Sequence, residues 1–281
     1  MTIAENLIIA VRELRAGGVA QPEREAASLL VFVLGRDRTF LIAHNDYELT
    51  PSETAYYADV IERRKRREPF QHIVGKQEFY GLDFVVSPDV LIPRPETELL
   101  VETAIETLAG TENAQICEIG TGSGCIVVSI LDKLRTATAV AVDISEAALT
   151  IARSNAKING VADRVKFQLS DVFNALDQQK FDVIVSNPPY IPACDIAELQ
   201  SEVRDFDPLT ALTDGFDGLS IIRRIVAEAP RSLNKNGSLL LEIGFGQAIA
   251  VDEMFCRDLW CEPEFLNDLQ GIARVVRAVV K

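Results

Sequence analysis

The nine residues CEIGTGSGC, Cys117 to Cys125, decide the fold class of this chain. An apolar run typical of a strand, QICEIG, leads into them, and a run typical of a helix, CIVVSILDKL, follows. Gly120, Gly122 and Gly124 allow a tight turn and remove the Cβ atoms that would keep a ligand away. The G-x-G-x-G spacing is neither the dinucleotide fingerprint G-x-G-x-x-G nor a P-loop, and no lysine is present to meet a phosphate. The segment predicts a ligand-binding crossover from strand to helix; a purely structural turn is the alternative.

The sequence on the C-terminal side of this segment predicts a sheet. Short apolar runs follow at AVAVDI, VKFQLS, FDVIVS and SLLLEIG, separated by amphipathic runs typical of helices. Strands of this composition are typical of a parallel sheet that is covered on both faces. The last residues, PEFLNDLQGIARVVRAVVK, indicate two strands that turn at Gly271. We therefore predict an α/β fold with a Rossmann-like doubly wound sheet, mostly parallel, carrying an antiparallel C-terminal edge hairpin.

The N-terminal part has a different pattern. TIAENLIIAVREL, QPEREAASLLVFVLG and TPSETAYYADVIERRKRRE space their apolar residues three and four apart, which predicts amphipathic helices. The next run, FQHIVGKQEFYGLDFVVSP, predicts a β-hairpin that turns at Tyr80 and Gly81. We expect a small all-α domain at residues 1–69, a β-hairpin linker at 70–90, and the α/β domain at 91–281.

Composition limits the classes of function. The 281 residues carry a formal net charge of −14, and extended nucleic-acid binding needs a basic surface, so no direct sequence-specific nucleic-acid partner is expected. The basic cluster ERRKRRE, Glu62 to Glu68, predicts either a solvated helix end or a docking patch for an acidic protein face. Five cysteines without a C-x-x-C pair, and only two histidines, predict no metal site. The absence of a long apolar run or a leader-like start predicts a cytoplasmic protein without a membrane partner.

Acidic residues close two of the predicted strands. Asp143 ends AVAVDI, about twenty residues after the glycine loop, where a carboxylate can accept hydrogen bonds from both ribose hydroxyls. Asp171 ends the next strand and is followed by Val172 and Phe173, which suggests an amine to bind and a flat ring to enclose. Capping of the following helix is the structural alternative for each acid. Together these residues indicate a nucleoside-shaped site without phosphates.

This arrangement resembles the S-adenosylmethionine-dependent methyltransferases. The resemblance implies S-adenosyl-L-methionine as the cofactor and S-adenosyl-L-homocysteine as the product. It also implies that the segment Glu118 to Gly124 holds the methionine part, that Asp143 binds the ribose, and that Asp171 with Val172 binds the adenine. The cofactor-binding residues expected from it are Glu118, Gly120, Thr121, Gly122, Gly124, Asp143, Ile144, Asp171, Val172 and Asn187.

The motif SNPPY, Ser186 to Tyr190, follows the fourth strand of the predicted sheet. Neither Pro188 nor Pro189 can donate a hydrogen bond to a neighbouring strand, so the chain leaves the sheet here with the Pro188 carbonyl free to accept. The fourth strand neighbours the first, which places Asn187 beside the reacting methyl group. Its side-chain oxygen and the Pro188 carbonyl can bind the two protons of an NH2 group, and Tyr190 offers a face for a planar group. The motif predicts methylation of an amino group on adenine, cytosine or an amide.

Longer motifs resemble one family. LIPRPETE, Leu91 to Glu98, together with GTGSGC, VSNPPYIP and DPLTALTDGFDGL, resembles the bacterial release factor glutamine methyltransferases. The resemblance implies methylation of the side-chain amide nitrogen (N5) of the glutamine in the Gly-Gly-Gln motif of peptide-chain release factors, which supports translation termination. It implies that the N-terminal helices help dock the release factor. The expected catalytic residues are Asn187, Pro188 and Tyr190, and the expected substrate-binding residues are these three with Pro189, Arg94 and Glu96.

Two other functions share part of this evidence. A nucleic-acid amino-methyltransferase would carry the same motif at Asn187 to Tyr190, but the acidic charge and the lack of a base-reading module disfavour it. A non-catalytic S-adenosylmethionine-binding protein is disfavoured by the intact motif. The structural alternative for PRPE is a rigid connector with an exposed ion pair. Asp207, in DFDPLTAL, departs from the family pattern, in which a glutamate is expected before the proline.

Overall fold

The computed structural model describes residues 1–281. The chain forms two compact units, the helical unit (residues 1–76 with 200–206) and the sheet unit (residues 77–199 with 207–281). The helices are α1 Ile3–Ala16, α2 Pro22–Leu34, α3 Arg38–Ala43, α4 Pro51–Lys65, α5 Phe70–Val74, α6 Glu98–Thr107, α7 Cys125–Lys133, α8 Glu146–Ile158, α9 Ser201–Arg204, α10 Leu209–Leu212, α11 Ser220–Glu228 and α12 Ala248–Asp252. The strands are β1 Lys76–Phe79, β2 Leu82–Val85, β3 Gln115–Ile119, β4 Thr138–Asp143, β5 Val165–Leu169, β6 Phe181–Ser186, β7 Leu233–Glu242, β8 Glu264–Asn267 and β9 Ala273–Val279.

The helical unit is held by capped helices around an apolar core. Thr2 and Thr50 accept hydrogen bonds from the backbone N–H groups of Glu5 and Glu53, and these glutamates accept from the two threonine N–H groups in return. Such reciprocal pairs satisfy N–H groups that the first turn of a helix leaves unbonded. The core is built from the apolar faces of α1, α2 and α4, including Leu14, Leu29, Leu30, Val60 and Ile61. The three helices predicted in this part of the chain are present.

The segment between the helices and the α/β part differs from the expected hairpin in one respect. The hairpin itself, β1 with β2, turns at Tyr80 and Gly81, which both have positive φ. Phe70–Val74, predicted as part of the hairpin, is instead the short helix α5. It begins after Pro69, whose φ is fixed by its ring, and it ends at Gly75 in the left-handed conformation. Five residues are too few for a helical period to be visible in the sequence.

The sheet of the sheet unit has seven strands in the order β5-β4-β3-β6-β7-β9-β8. The pairs from β5 to β7 are parallel, and β9 pairs antiparallel with both β7 and β8. This confirms the predicted fold class, including the C-terminal edge hairpin. Because β3 lies between β4 and β6, the chain order of the strands reverses there, and a ligand crevice is expected at the carboxyl ends of these strands. None of the helices combines the length and apolar character needed to span a membrane.

Candidate active site

A cleft of about 380 Å³ lies at the carboxyl ends of β3, β4 and β6, where the strand order reverses. Pockets of this size commonly hold small-molecule ligands, and the position is the one expected for a doubly wound sheet. Ten of the predicted site residues line it: Arg94, Gly120, Thr121, Gly122, Asp143, Ile144, Asp171, Val172, Asn187 and Pro189. Residues that are far apart in sequence therefore share one surface.

The other five predicted residues do not line the cleft. Glu118 is fully buried, and Gly124 is the residue before α7. Pro188 is buried and Tyr190 is partly buried, whereas Glu96 is exposed. A contribution of Glu96 to the pocket is therefore not supported by its position, and Glu118, Pro188 and Tyr190 can act only through the walls of the cleft or through backbone atoms.

The glycine loop connects β3 to α7 in a conformation that requires glycine. Gly120 and Gly122 have φ values of 71° and 53°, and a Cβ atom on either would meet no protein atom within 4 Å. The space beside them is therefore open to a ligand. Gly124 has a φ of 80°, and a Cβ there would lie 3.1 Å from the Cβ of Ala152, so its role is close packing against α8. The loop is therefore open to a ligand at Gly120 and Gly122, which we call the glycine cradle, and is packed against α8 at Gly124.

Glu118 lies beneath this cradle. The Thr121 hydroxyl donates to its Oε2 over 2.6 Å, and its Oε1 has no hydrogen-bond partner. Burial raises the pKa of Glu118 to about 8. A carboxyl group buried beneath the cradle suits a ligand that brings a positive charge to the cleft, since a nearby cation favours the ionised form. The open cradle above this acid therefore suits a cationic nucleoside without phosphates.

The buried Glu118 leads to a prediction about pH. Its pKa is about 4.5 when unperturbed and about 8 in the folded chain, so the folded state holds the proton more tightly than the unfolded state. The stability that this proton provides is complete below about pH 4.5 and is lost as the pH rises towards 8. We expect Glu118→Gln, which stays neutral, to melt at an increasingly higher temperature relative to the unmodified chain as the pH is raised from 5 to 8.5. Melting curves measured at intervals across this range test it, and a constant difference would contradict the prediction.

Asp143 fixes the ends of β4 and of the glycine loop. Its Oδ2 accepts from the backbone N–H of Gly122 over 2.8 Å, and its Oδ1 accepts from the N–H of Ser145 over 2.9 Å. Ser145, not Asp143, caps α8, because its hydroxyl accepts from the N–H of Ala148. Burial raises the pKa of Asp143. Each carboxylate oxygen can accept a further hydrogen bond, so the group can hold the loop and meet a ligand at the same time.

The loop after β5 combines an ion pair with a strained residue. The carboxylate of Asp171 pairs with both terminal nitrogens of Arg224 over 2.9 and 3.1 Å, an interaction that the sequence did not indicate. Val172 is buried at a φ of 51°, a left-handed conformation that is unfavourable for a β-branched side chain. Such strain is concentrated at ligand-binding loops. The position of Val172 in the cleft is consistent with contact to a flat ring.

The motif after β6 is held by side chains from three other parts of the chain. The Asn187 Nδ2 donates to Thr97 Oγ1 over 3.2 Å, and the Tyr190 hydroxyl donates to Glu242 over 3.1 Å. The Tyr190 carbonyl accepts from Gln247 over 2.9 Å, and a Cβ on Gly218 would approach that carbonyl oxygen to 2.2 Å. The motif is therefore fixed at both its amide and its aromatic end.

Sequence reasoning missed Thr97, Glu242 and Gln247. Thr97 lies inside the quoted motif LIPRPETE, but no chemistry was assigned to it. Glu242 closes the strand SLLLEIG, as Asp143 and Asp171 close theirs, so the rule that found those two acids could also have found this one. Gln247 has no signal in the sequence, because its partner is a backbone carbonyl.

Arg94 and Asp207 form an ion pair at the edge of the cleft. The Arg94 Nη2 lies 2.5 Å from Asp207 Oδ2, and the Asp207 side chain is only 1% exposed. Burial raises the pKa of Asp207 to about 6, although the charge of Arg94 acts in the opposite direction. The carboxylate of this ion pair is therefore shielded from solvent. This differs from the exposed ion pair that was the structural alternative for the PRPE motif. Asp207, the departure from the family pattern, takes the role of partner to Arg94.

Comparison with known proteins agrees with this geometry. Residues 5–75 match the PrmC N-terminal domain family and residues 95–199 match the methyltransferase small domain family. The chain is 45% identical to the release factor glutamine methyltransferase of Geobacter sulfurreducens over 92% of its own length and 90% of the relative's. It is 41% identical to that of Koribacter versatilis over 98% of both chains. A methyltransferase from Pyrococcus furiosus, 18% identical, shares the fold with a TM-score of 0.52 over 83% of this chain and 99% of that one. The chain therefore belongs to the release factor glutamine methyltransferase family.

Proposed function

We propose that the chain transfers a methyl group from S-adenosyl-L-methionine to the side-chain amide nitrogen (N5) of the glutamine in the Gly-Gly-Gln motif of peptide-chain release factors. The observation that carries this proposal is the presence of Asn187 in the same cleft as Gly120, Gly122 and Asp143. An amide-binding group thus faces the space that suits a nucleoside. The family to which the chain belongs supports the choice of a glutamine amide over a nucleobase.

The proposed cofactor site uses residues of β3, β4 and the loop after β5. Glu118 and the glycine cradle would hold the amino acid part, Asp143 would accept from the ribose hydroxyls, and Val172 would contact the adenine. When bound, S-adenosyl-L-methionine supplies an electrophilic methyl group. The open space beside Gly120 and Gly122, with the buried acid Glu118 beneath it, is the observation that fits this assignment.

The chain's own contribution to the reaction is mainly positioning. An amide nitrogen is a poor nucleophile, because its lone pair is delocalised into the carbonyl. Asn187 Oδ1 and the Pro188 carbonyl would accept hydrogen bonds from the two N–H groups of the glutamine amide and so fix its direction. Tyr190, whose hydroxyl and carbonyl are both held, would support the amide plane. The nitrogen gains a methyl group and then gives up one proton to water, so no strong general base is required.

Asp143 provides a test of the proposed cofactor site. Replacing it by alanine removes the charged acceptor of the ribose hydroxyls and the bond that holds Gly122. Hydrogen bonds to charged groups contribute about 1.5–3 kcal/mol, so we expect the dissociation constant for S-adenosyl-L-methionine to rise roughly 10- to 150-fold. Calorimetric titration measures this. Unchanged affinity in a variant with an unchanged circular dichroism spectrum would remove Asp143 from the site.

The release factor itself is proposed to contact more than the cleft. Specific protein interfaces bury about 1,200–2,000 Å² in total, far more than one glutamine side chain offers. The helical unit is the proposed additional surface: it matches the PrmC N-terminal domain family and exposes the large apolar side chains of Ile8, Ile42 and Tyr56. A short Gly-Gly-Gln peptide should therefore be a poorer substrate than the intact factor, by roughly tenfold or more in kcat/KM.

One experiment tests both parts of this proposal. The protein is incubated with methyl-labelled S-adenosyl-L-methionine and, separately, an intact release factor, the same factor with the Gly-Gly-Gln glutamine replaced by alanine, a Gly-Gly-Gln peptide, and duplex DNA. We expect label in the intact factor, little in the peptide and none in the other two. Label in DNA alone, or in the alanine-substituted factor, would overturn the proposed substrate. Equal kcat/KM for peptide and intact factor would overturn docking outside the cleft.

A further inference from the structure

A buried polar network lies behind the proposed amide-binding group. Glu242, at the end of β7, is 1% exposed, and Thr97, just before α6, is 2% exposed. The Tyr190 hydroxyl donates to Glu242 Oε1, and Asn187 Nδ2 donates to Thr97 Oγ1. Burial raises the pKa of Glu242, and the neighbouring hydroxyls of Thr97 and Tyr190 act in the opposite direction, while Glu242 Oε2 itself accepts no hydrogen bond. Four side chains from three segments of the chain thus lie together as two hydrogen-bonded pairs.

The chemistry of these groups determines the direction of each hydrogen bond. The Tyr190 hydroxyl donates to Glu242 Oε1 over 3.1 Å, and Asn187 Nδ2 donates to Thr97 Oγ1 over 3.2 Å, which leaves the Thr97 hydroxyl proton free to turn towards Glu242. Thr97 Oγ1 is then left as an acceptor, and only the NH2 end of the Asn187 amide can donate to it. The carbonyl end of Asn187, Oδ1, is consequently turned away from Thr97. Arg274 is the cation that favours the ionised form of Glu242, whereas Glu96 acts against it.

This direction matters because the two ends of an asparagine amide are similar in size but opposite in hydrogen bonding. With Oδ1 presented, Asn187 accepts a proton from a substrate NH2 group. With Nδ2 presented, it would repel the same group and attract a carbonyl instead. A rotation of 180° about the last side-chain bond of Asn187 would therefore turn a binding site for an amide nitrogen into one for an amide oxygen.

We propose that Thr97 and Glu242 are positioning residues that hold Asn187 with its carbonyl oxygen towards the substrate amide. This inference rests on the proposed function, since it assigns a role in aiming the glutamine nitrogen. Glu242 does not line the cleft, and Thr97, which does, is proposed to act through Asn187. Glu242 fixes the hydroxyl of Thr97, Thr97 fixes the amide of Asn187, and the same carboxylate holds Tyr190, so one buried acid orients both ends of the motif.

The test compares Thr97→Val with Thr97→Ser in the full-length chain. Valine has nearly the shape of threonine but cannot accept from Asn187 or donate to Glu242, whereas serine keeps the hydroxyl. We expect Thr97→Val to lower kcat on intact release factor about 10- to 100-fold, with KM and the dissociation constant of S-adenosyl-L-methionine changed less than about twofold. Thr97→Ser should restore kcat to within about threefold of the unmodified chain. Loss of cofactor affinity in step with kcat, or a failure of serine to restore kcat, would show a packing role and overturn the proposal.

Glu242→Gln supplies a second, independent measurement. Its amide can donate to Thr97, which then no longer needs to act as an acceptor for Asn187, so we expect kcat to fall at least about tenfold. Because the residues act in one chain of bonds, the double variant Thr97→Val/Glu242→Gln should be hardly slower than the slower single variant. A double variant whose loss of kcat equals the product of the two single losses would overturn the proposed network. If the unmodified chain labels release factor and Thr97→Val keeps normal kcat, this inference fails alone; if the unmodified chain labels no release factor, the proposed function fails first.

Discussion

Replacing Asn187 by alanine is expected to slow methyl transfer at least about 100-fold while S-adenosyl-L-methionine binds with nearly normal affinity. The side chain lines the cleft and is held through Thr97, so its oxygen is available to orient an amide nitrogen. Orientation is required in the transition state, where the nitrogen must approach the methyl group in line. The cofactor, in contrast, keeps its proposed contacts with the glycine loop and Asp143.

The measurement is kcat on an intact release factor, together with calorimetric titration of S-adenosyl-L-methionine. Asn174→Ala is a suitable control, because Asn174 is an exposed asparagine in the same unit and does not line the cleft. It should leave both quantities unchanged. An Asn187→Ala variant with near-normal kcat would remove Asn187 from the mechanism, and a variant that no longer binds cofactor would move it to the cofactor site.

The features that the sequence predicts well depend on short stretches of chain. The strand β3, the glycine loop and the start of α7 are contiguous, so their apolar run and glycine spacing are sufficient to predict the crossover. Asp143 and Asn187 follow parallel strands, and the carboxyl ends of such strands meet at one edge. The register confirms this, since Ile119 at the end of β3 pairs with Val142 on one side and with Ser186 on the other. The position of the cleft therefore follows from the sequence pattern alone.

The sequence does not predict which charged side chains form ion pairs when the two residues are far apart along the chain. Arg94 pairs with Asp207, 113 positions later, and Asp171 with Arg224, 53 positions later. From the sequence alone, Asp207 and Asp171 could equally face solvent or a ligand. The tertiary packing of the chain determines that each meets an arginine instead. Glu96 is the opposite case: the motif predicts that it binds the substrate, but it is exposed and does not line the cleft, although its neighbour Thr97 does. Helix α6, in contrast, was missed although ETELLVETAIET spaces Leu100, Val101 and Ala104 as an amphipathic helix does.

The basic cluster of residues 62–68 shows how a charge run can be misread in either direction. All five of its cations pair with acids inside the helical unit: Arg63 with Glu68, Arg64 with Glu25 and Glu202, Lys65 with Glu13 and Glu62, Arg66 with Glu62, and Arg67 with Glu202. A solvated helix end describes Arg66, whose side chain is 75% exposed, but not Arg64, which is 7% exposed. The helical unit therefore does not present these five cations as an unpaired basic patch for an acidic partner.

Arg64 and Glu202 join α4 to a segment that comes from much later in the chain. Residues 200–206, which contain α9, belong to the helical unit, and Glu202 accepts from Arg64 over 3.0 Å and from Arg67 over 2.6 Å. Burial acts to raise the pKa of Glu202, but hydrogen bonds from Arg67 and Arg64 outweigh it and the pKa is lowered. The Arg64 guanidinium also pairs with Glu25 of α2. One nearly buried cation therefore holds together three segments of the helical unit.

Replacing Arg64 by methionine is expected to destabilise the chain by about 3 kcal/mol, because it leaves the mostly buried carboxylate of Glu25 without its cation, whereas Glu202 keeps only its pair with Arg67. Methionine keeps most of the volume, so lost packing contributes little. Arg66→Met is the matched control: it removes an exposed i,i+4 pair with Glu62 and should cost less than about 0.5 kcal/mol. Denaturant unfolding at pH 7 measures both. The double replacement Arg64→Met/Glu25→Gln should recover part of the loss, since it removes the unpaired carboxylate as well and keeps the pair of Glu202 with Arg67. An Arg64→Met variant no less stable than Arg66→Met would mean that the ion pairs of Arg64 contribute nothing to joining these three segments of the helical unit.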